Sequence, residues 1–231
     1  MKNKLQATSV IGEALRLFKE NPGLFVLLAL IGEAGVIFKV GFMWLYNPAK
    51  DIVIDILLYY LIAMFVYIAF TYIANKKYLK KPVTLKEGFS RASELFLKYV
   101  LVVVLVYLAV GGGLILLVLP GIYFFVVFFI ADTICVIEDA PVKQCLVKSR
   151  EWIKDSFWQV FLAALLMFGI SLVVYIPVYM TSELLSMGPL KGIVEKEITD
   201  MVFESLSQLF IMPLFGSVSV VVYNRLKKGR K

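Results

Sequence analysis

The chain has 231 residues, 61% of them hydrophobic and 18% charged, with a mean hydropathy of +0.86 and a formal net charge of +7. So apolar a composition leaves little room for a soluble part, and one membrane domain over 1–231 is expected. The absence of histidine removes His-based acid–base catalysis, Cys–His and Ser–His–Asp constellations and most zinc sites, so neither enzymatic activity nor a metal or cofactor is expected.

Taken in chain order, the first element is a helical stripe at Ala7, Val10, Ile11, Ala14, Leu17 and Phe18, with Glu13, Arg16 and Glu20 on other sides. Apolar residues at offsets of 3, 4 and 7 share one helix face, so an amphipathic helix is expected over about 7–21. The apolar run that follows is a poor signal peptide, because Arg16 and Lys19 precede it and Glu33 interrupts it before any small-residue cleavage site. It is expected to stay as a span over 23–46, followed by a second at 52–74.

The same stripe recurs at Leu85, Gly88, Phe89, Ala92, Leu95 and Phe96, predicting an amphipathic helix over 84–97. From Tyr99 to Ile137 the only charge is Asp132, and this run is too long for one span. Leu119-Pro120-Gly121 divides it into spans at 98–118 and 121–138, since Pro lacks an amide proton and Gly permits unusual dihedrals. Gly111-Gly112-Gly113 is the competing turn and otherwise a kink or a close helix contact. A third stripe, Val142, Cys145, Leu146, Ser149, Trp152 and Ile153, predicts an amphipathic helix over 141–155 before spans at 157–180 and 201–224.

The expected fold class is therefore an all-α integral membrane protein with six transmembrane helices in three hairpins, each preceded by a cytoplasmic interfacial amphipathic helix. Twenty of the 24 Lys and Arg residues lie in four polar stretches: 2–19, 76–98, 143–154 and 225–231. Because such residues are retained beside the cytoplasmic ends of spans, both termini and both long internal stretches are expected to be cytoplasmic. Spread over these segments, the charge suits anionic lipid headgroups and not nucleic acid.

Leu119-Pro120-Gly121-Ile122-Tyr123, then Ile137-Glu138-Asp139, then Lys148-Ser149-Arg150-Glu151-Trp152 with Phe157-Trp158, resemble a family of bacterial and archaeal membrane proteins. Its module is also found as the membrane domain of some glycerophosphoryl diester phosphodiesterases, and Pro213 through Tyr223-Asn224-Arg225-Leu226-Lys227 is similar to its last span. The resemblance covers nearly the whole chain and implies a six-span helical membrane module. It does not carry the phosphodiesterase activity, which resides in a separate histidine-containing domain that this chain does not match.

Ionisable groups inside hydrocarbon cost about 2.5–3.5 kcal/mol at a helix centre, so each needs a reason. Glu33 falls near the middle of the first span and Asp132 in the cytoplasmic half of the fourth, and these two form the candidate intramembrane polar site. Lys39 can snorkel outward. Glu33 is either a protonatable or cation-binding carboxylate near Asp132, Ser171 or Gln208, or a neutral packing group. Asp132 is either part of the same path or a side chain reaching water or the amphipathic helices. Trp44, Tyr46, Trp152, Trp158, Tyr175, Tyr179 and Tyr223 read as interfacial anchors, and 225–231 as a plain positive tail. The expected role is a non-enzymatic scaffold or lipid-interacting accessory domain; the alternative is a small transporter or channel with a proton or cation path at Glu33.

Overall fold

The computed structural model describes residues 5–34, 52–188 and 196–230. Lys39, Trp44, Tyr46 and the second half of the first expected span lie outside them. Among the described residues all regular structure is helical. The helices are α1 (Ala7–Glu20), α2 (Pro22–Gly32), α3 (Ile52–Tyr78), α4 (Leu85–Leu116), α5 (Val118–Val127), α6 (Ala131–Glu138), α7 (Val142–Ile153), α8 (Phe157–Met187) and α9 (Lys196–Lys228). A single 3-10 turn, Lys154–Ser156, joins α7 to α8. Four segments are long and apolar enough to cross a membrane: Leu85–Leu116, Val118–Glu138, Val142–Met187 and Ile198–Lys228.

Several boundaries depart from the sequence reading. The helix expected over 84–97 and the span expected over 98–118 are one continuous α4. Its start is an N-cap in which the Thr84 hydroxyl accepts from the Glu87 amide at 3.2 Å, and the helix runs on through Gly88 with no proline to interrupt it. The chain breaks at Leu117, which is extended, and not at Pro-Gly. Pro120 is the third residue of α5, where an amide proton would lack an intrahelical partner anyway.

Gly113 and Gly121 then lie against each other across the turn. A Cβ on Gly113 would come within 2.8 Å of the Gly121 amide nitrogen, so the last glycine of the triplet serves a close helix contact, while Gly111 and Gly112 have open space. The span expected over 121–138 is two helices, separated by a break at Phe128–Ile130.

The helices form an inner and an outer set. Buried residues of α3 (Val66, Ile68, Ala69, Phe70, Ile73), of α6 (Ala131 and Thr133 to Val136) with Ile130 just before it, and of α9 (Val218 to Tyr223) meet at the centre, and these three helices touch pairwise. α4 and α8 flank them and leave Leu101, Leu105 and Leu108, and Leu165, Phe168 and Val173, exposed. Only 17% of the apolar windows of the outer spans is buried, against 56% for Val118–Glu138 and for α9. An uncovered apolar surface of that extent is what a helix presents to lipid.

The amphipathic stripes face the protein. Ala14, Ala92 and Ser149, at the same offset in each stripe, are all fully buried, as are Val10 and Cys145. α1 packs on α9 and α8 with a smaller contact to α3, the first turns of α4 pack between α3 and α6, and α7 packs on α6 with smaller contacts to α4, α5 and α9. Each of these wedge helices thus seats its stripe on at least one inner helix. The expectation that these stripes rest on lipid is corrected accordingly: their small residues permit close approach of helix to helix.

Candidate intramembrane polar site and its charged rim

Glu33 is the C-cap of α2 and is buried, 8% exposed. Its backbone amide donates to Ala29 O at 2.9 Å, and its Oε1 accepts from the Tyr59 hydroxyl at 3.4 Å. The neighbours expected for it are elsewhere: the Ser171 hydroxyl donates to Met167 O within α8 at 2.9 Å, and among the described residues neither Asp132 nor Gln208 bonds to Glu33. The two expected site carboxylates are not brought into contact, because one ends α2 and the other opens α6.

Asp132 sits in the first turn of α6, where the helix dipole favours a negative charge. Its Oδ1 accepts from the Thr133 amide at 2.7 Å and lies 3.3 Å from the Thr133 hydroxyl. That hydroxyl is 3.1 Å from Ser219 Oγ on α9, and Ser219 donates on to Gly216 O at 2.9 Å. From α3, the Tyr67 hydroxyl lies beside Asp132, Thr71 and Ser219. Neither the Tyr67 nor the Thr71 hydroxyl has a hydrogen-bond partner, although both are buried. Each inner helix therefore contributes oxygen to one polar centre. The Asp132 carboxylate is hydrogen-bonded within that centre through Thr133.

Tyr67, Thr71 and Ser219 were not singled out by the sequence. The signal available was weak: Ser217 and Ser219 alternate with valines in the most apolar part of α9, while Tyr67 and Thr71 are spaced to share a face of α3.

A charged rim closes the end of the bundle that carries the basic stretches. Glu13 of α1 accepts from Arg225 of α9 at 2.6 Å and from the Tyr78 hydroxyl of α3 at 3.1 Å, tying one wedge helix to both helices beside it. The hydrogen bond from Arg225 holds the Glu13 carboxyl below its usual range, against the opposing effect of burial. Glu138, ending α6, accepts from Lys148 of α7 at 2.9 Å and from Lys227 and the Tyr223 hydroxyl of α9 at 2.7 and 2.8 Å.

Asp139 takes the left-handed conformation, φ 53°, that ends α6 and turns its side chain toward Lys98 and Arg91. Lys98 first, and Arg91 with it, holds the Asp139 carboxyl low.

Two expectations about this end are corrected. Arg225, Lys227 and Arg230 are structural, since Arg230 also reaches Glu151 O and Asp155, so 225–230 is no plain tail. Tyr223 is 1% exposed and stacks on Trp152 with ring centroids 5.7 Å apart, which makes it a core residue and not an interfacial anchor. Trp158 is 74% exposed at the start of α8 and keeps a position suited to anchoring. Among the described residues no group of His, Cys, Asp or Glu could hold a metal ion. No protein-family model, no curated protein and no solved structure matches this chain.

Proposed function

We propose that this chain is a six-span membrane module whose basic stretches face the cytoplasm and which works without covalent chemistry, as a scaffold or lipid-contacting accessory domain. One observation carries this reading. Apolar surface is left open along α4 and α8, while most of the ion pairs gather at the end where the basic stretches lie, with Lys196–Glu183 at the other end. The resemblance to the membrane module of glycerophosphoryl diester phosphodiesterases agrees with it. In this reading the repeated unit is wedge helix, outer span, inner span, and the wedges lock neighbouring units together. Oriented vesicles exposed to an impermeant amine reagent test the topology. Lys76 to Lys86 and Lys227 should react from the cytoplasmic side, and Lys50 and Lys191 from the other; the reverse pattern would sink the orientation.

The unpartnered Tyr67 and Thr71 hydroxyls beside Asp132 favour a second reading, a small transporter or channel with a proton or cation path through Asp132 and Glu33. In proteoliposomes carrying an ion-sensitive dye, the scaffold reading expects no flux under a gradient. Flux that disappears in Asp132→Asn or Glu33→Gln would establish the second reading instead.

A further inference from the structure

The three wedge helices make comparable joints, and one of them is open. At two joints a wedge helix is ion-paired to the inner helix of the unit preceding it, counted cyclically: Glu13 of α1 to Arg225 of α9, and Lys148 of α7 to Glu138 of α6. At the third, the first turns of α4 pack on α3 so tightly that a Cβ on Gly88 would come within 2.5 Å of Ile73 Cδ1. Above that contact no ion pair among the described residues joins α4 to α3; a cleft of about 560 Å³ lies there instead. That volume is in the range of small-molecule and headgroup sites.

We infer that this cleft, between the end of α3 and the first turns of α4, holds the phosphodiester headgroup of a membrane phospholipid through Lys76 and Lys81. The inference rests on the membrane reading above. Both lysines line the cleft, and neither has an acidic partner among the described residues.

Their placement is built into the fold. α3 ends in a Schellman turn, with the Lys80 amide donating to Lys77 O and the Lys81 amide to Lys76 O, each at 2.9 Å. Lys80 takes the left-handed conformation there at φ 55°, which costs a non-glycine residue about 1 kcal/mol. The turn folds Lys81 back beside Lys76, whose ammonium is held 5.1 Å from the centre of the Tyr72 ring.

The other cation of the cleft, Arg91, is already engaged by Glu94 and Asp139, which leaves the two lysines for an incoming anion. Glu87, also on the wall, has no cationic partner among the described residues and suits the amine of a headgroup that carries one. Tyr72, Leu79 and Ile137 supply the apolar side against which a glycerol backbone can lie.

Native mass spectrometry of the intact chain in detergent tests this with four probes: phosphatidylglycerol, phosphatidylethanolamine, diacylglycerol, which lacks the phosphate, and inorganic phosphate. The two phospholipids should bind one per chain, with diacylglycerol at least tenfold weaker. Lys76→Gln with Lys81→Gln should lower phospholipid binding about tenfold, while Lys143→Gln with Lys154→Gln, equal in charge change but outside the cleft, should leave it unchanged. Equal loss in both pairs, or diacylglycerol binding as well as phospholipid, would overturn the site. Full competition by inorganic phosphate at the concentration of the lipid would overturn the lipid as its source. Melting temperatures of both pairs separate lost binding from lost folding. Extraction of the chain from native membranes by alkaline carbonate would refute the membrane reading; retention with no headgroup binding would refute this inference alone.

Discussion

The outer spans α4 and α8 are somewhat more apolar on a hydropathy scale than the inner helices α6 and α9, and the two sets do opposite things with that character. The inner set uses it to bury neighbours, with Ile130, Ile134, Val218 and Val221 fully enclosed, and within that enclosure it shelters Thr71, Thr133, Ser217 and Ser219. The outer spans leave Leu108 and Phe168 well over half exposed, and α8 keeps its Ser171 hydroxyl on its own backbone. Packing between helices separates the two sets more sharply than hydrophobicity does, as expected where the surrounding solvent is itself hydrocarbon. Of the sheltered polar side chains, Thr133 and Ser219 answer each other across α6 and α9.

The sharpest way to break this contrast is to add volume where helices touch. Gly113→Val forces side-chain atoms into the backbone of Gly121 and should cost about 3 kcal/mol, whereas Gly111→Ala, with open space around it, should be neutral or gain up to about 1 kcal/mol of helix propensity. Thermal unfolding in detergent reads both. Equal effects would mean that the α4–α5 contact is not close.

Next in size is the charged rim. Glu138→Ala strands two lysines and a tyrosine hydroxyl and should cost about 2 kcal/mol. Arg16→Ala removes only an exposed pair with Glu20 and should be silent in the same measurement.

A smaller effect is expected from acid. Glu13 and Asp139 both have folded-state pKa values below their ordinary ones of 4.5 and 3.8. Their contribution is therefore complete above the ordinary values and is lost as pH falls through the lowered ones. Because both side chains are more than a third exposed, screening keeps the sum to about 1 kcal/mol. Glu13→Gln should blunt the acid slope of the melting temperature, and a slope that steepened would contradict the sign. Smallest of all, Phe168→Ala on the outer face should shift stability by about 0.5 kcal/mol or less, since its ring exchanges protein for lipid and lipid for lipid alike.

Much of the helical layout was legible in sequence because the stripes of α1, α4 and α7 have a strong 3.6-residue period. What the stripes face was not legible. A row such as Ala7, Val10, Ile11 and Ala14 is compatible with lipid or with a neighbouring helix, and only the contacts of α1 with α9 decide between them.

The division into inner and outer spans was hidden for a related reason: lipid and protein interior select the same side chains. Asp132 was identifiable as the one charge in a long apolar run, but Tyr67 and Ser219 of the same polar centre are 65 and 87 residues away along the chain, and no local period links them. Glu33 was identifiable too, and its hydrogen bond from Tyr59 likewise depends on how two distant helices meet.

The inner–outer division is tested most directly on the unmodified protein in bilayers containing a diazirine-tagged phospholipid, with labelled residues mapped by mass spectrometry after photolysis. The account predicts carbene insertion along Leu101, Leu105 and Leu108 of α4 and Leu165, Phe168 and Val173 of α8, and none at Ile130, at Ala131 and Thr133 to Val136 of α6, or at Val218 to Val222 of α9. Labelling of α6 and α9 at the level of α4 and α8 would contradict it.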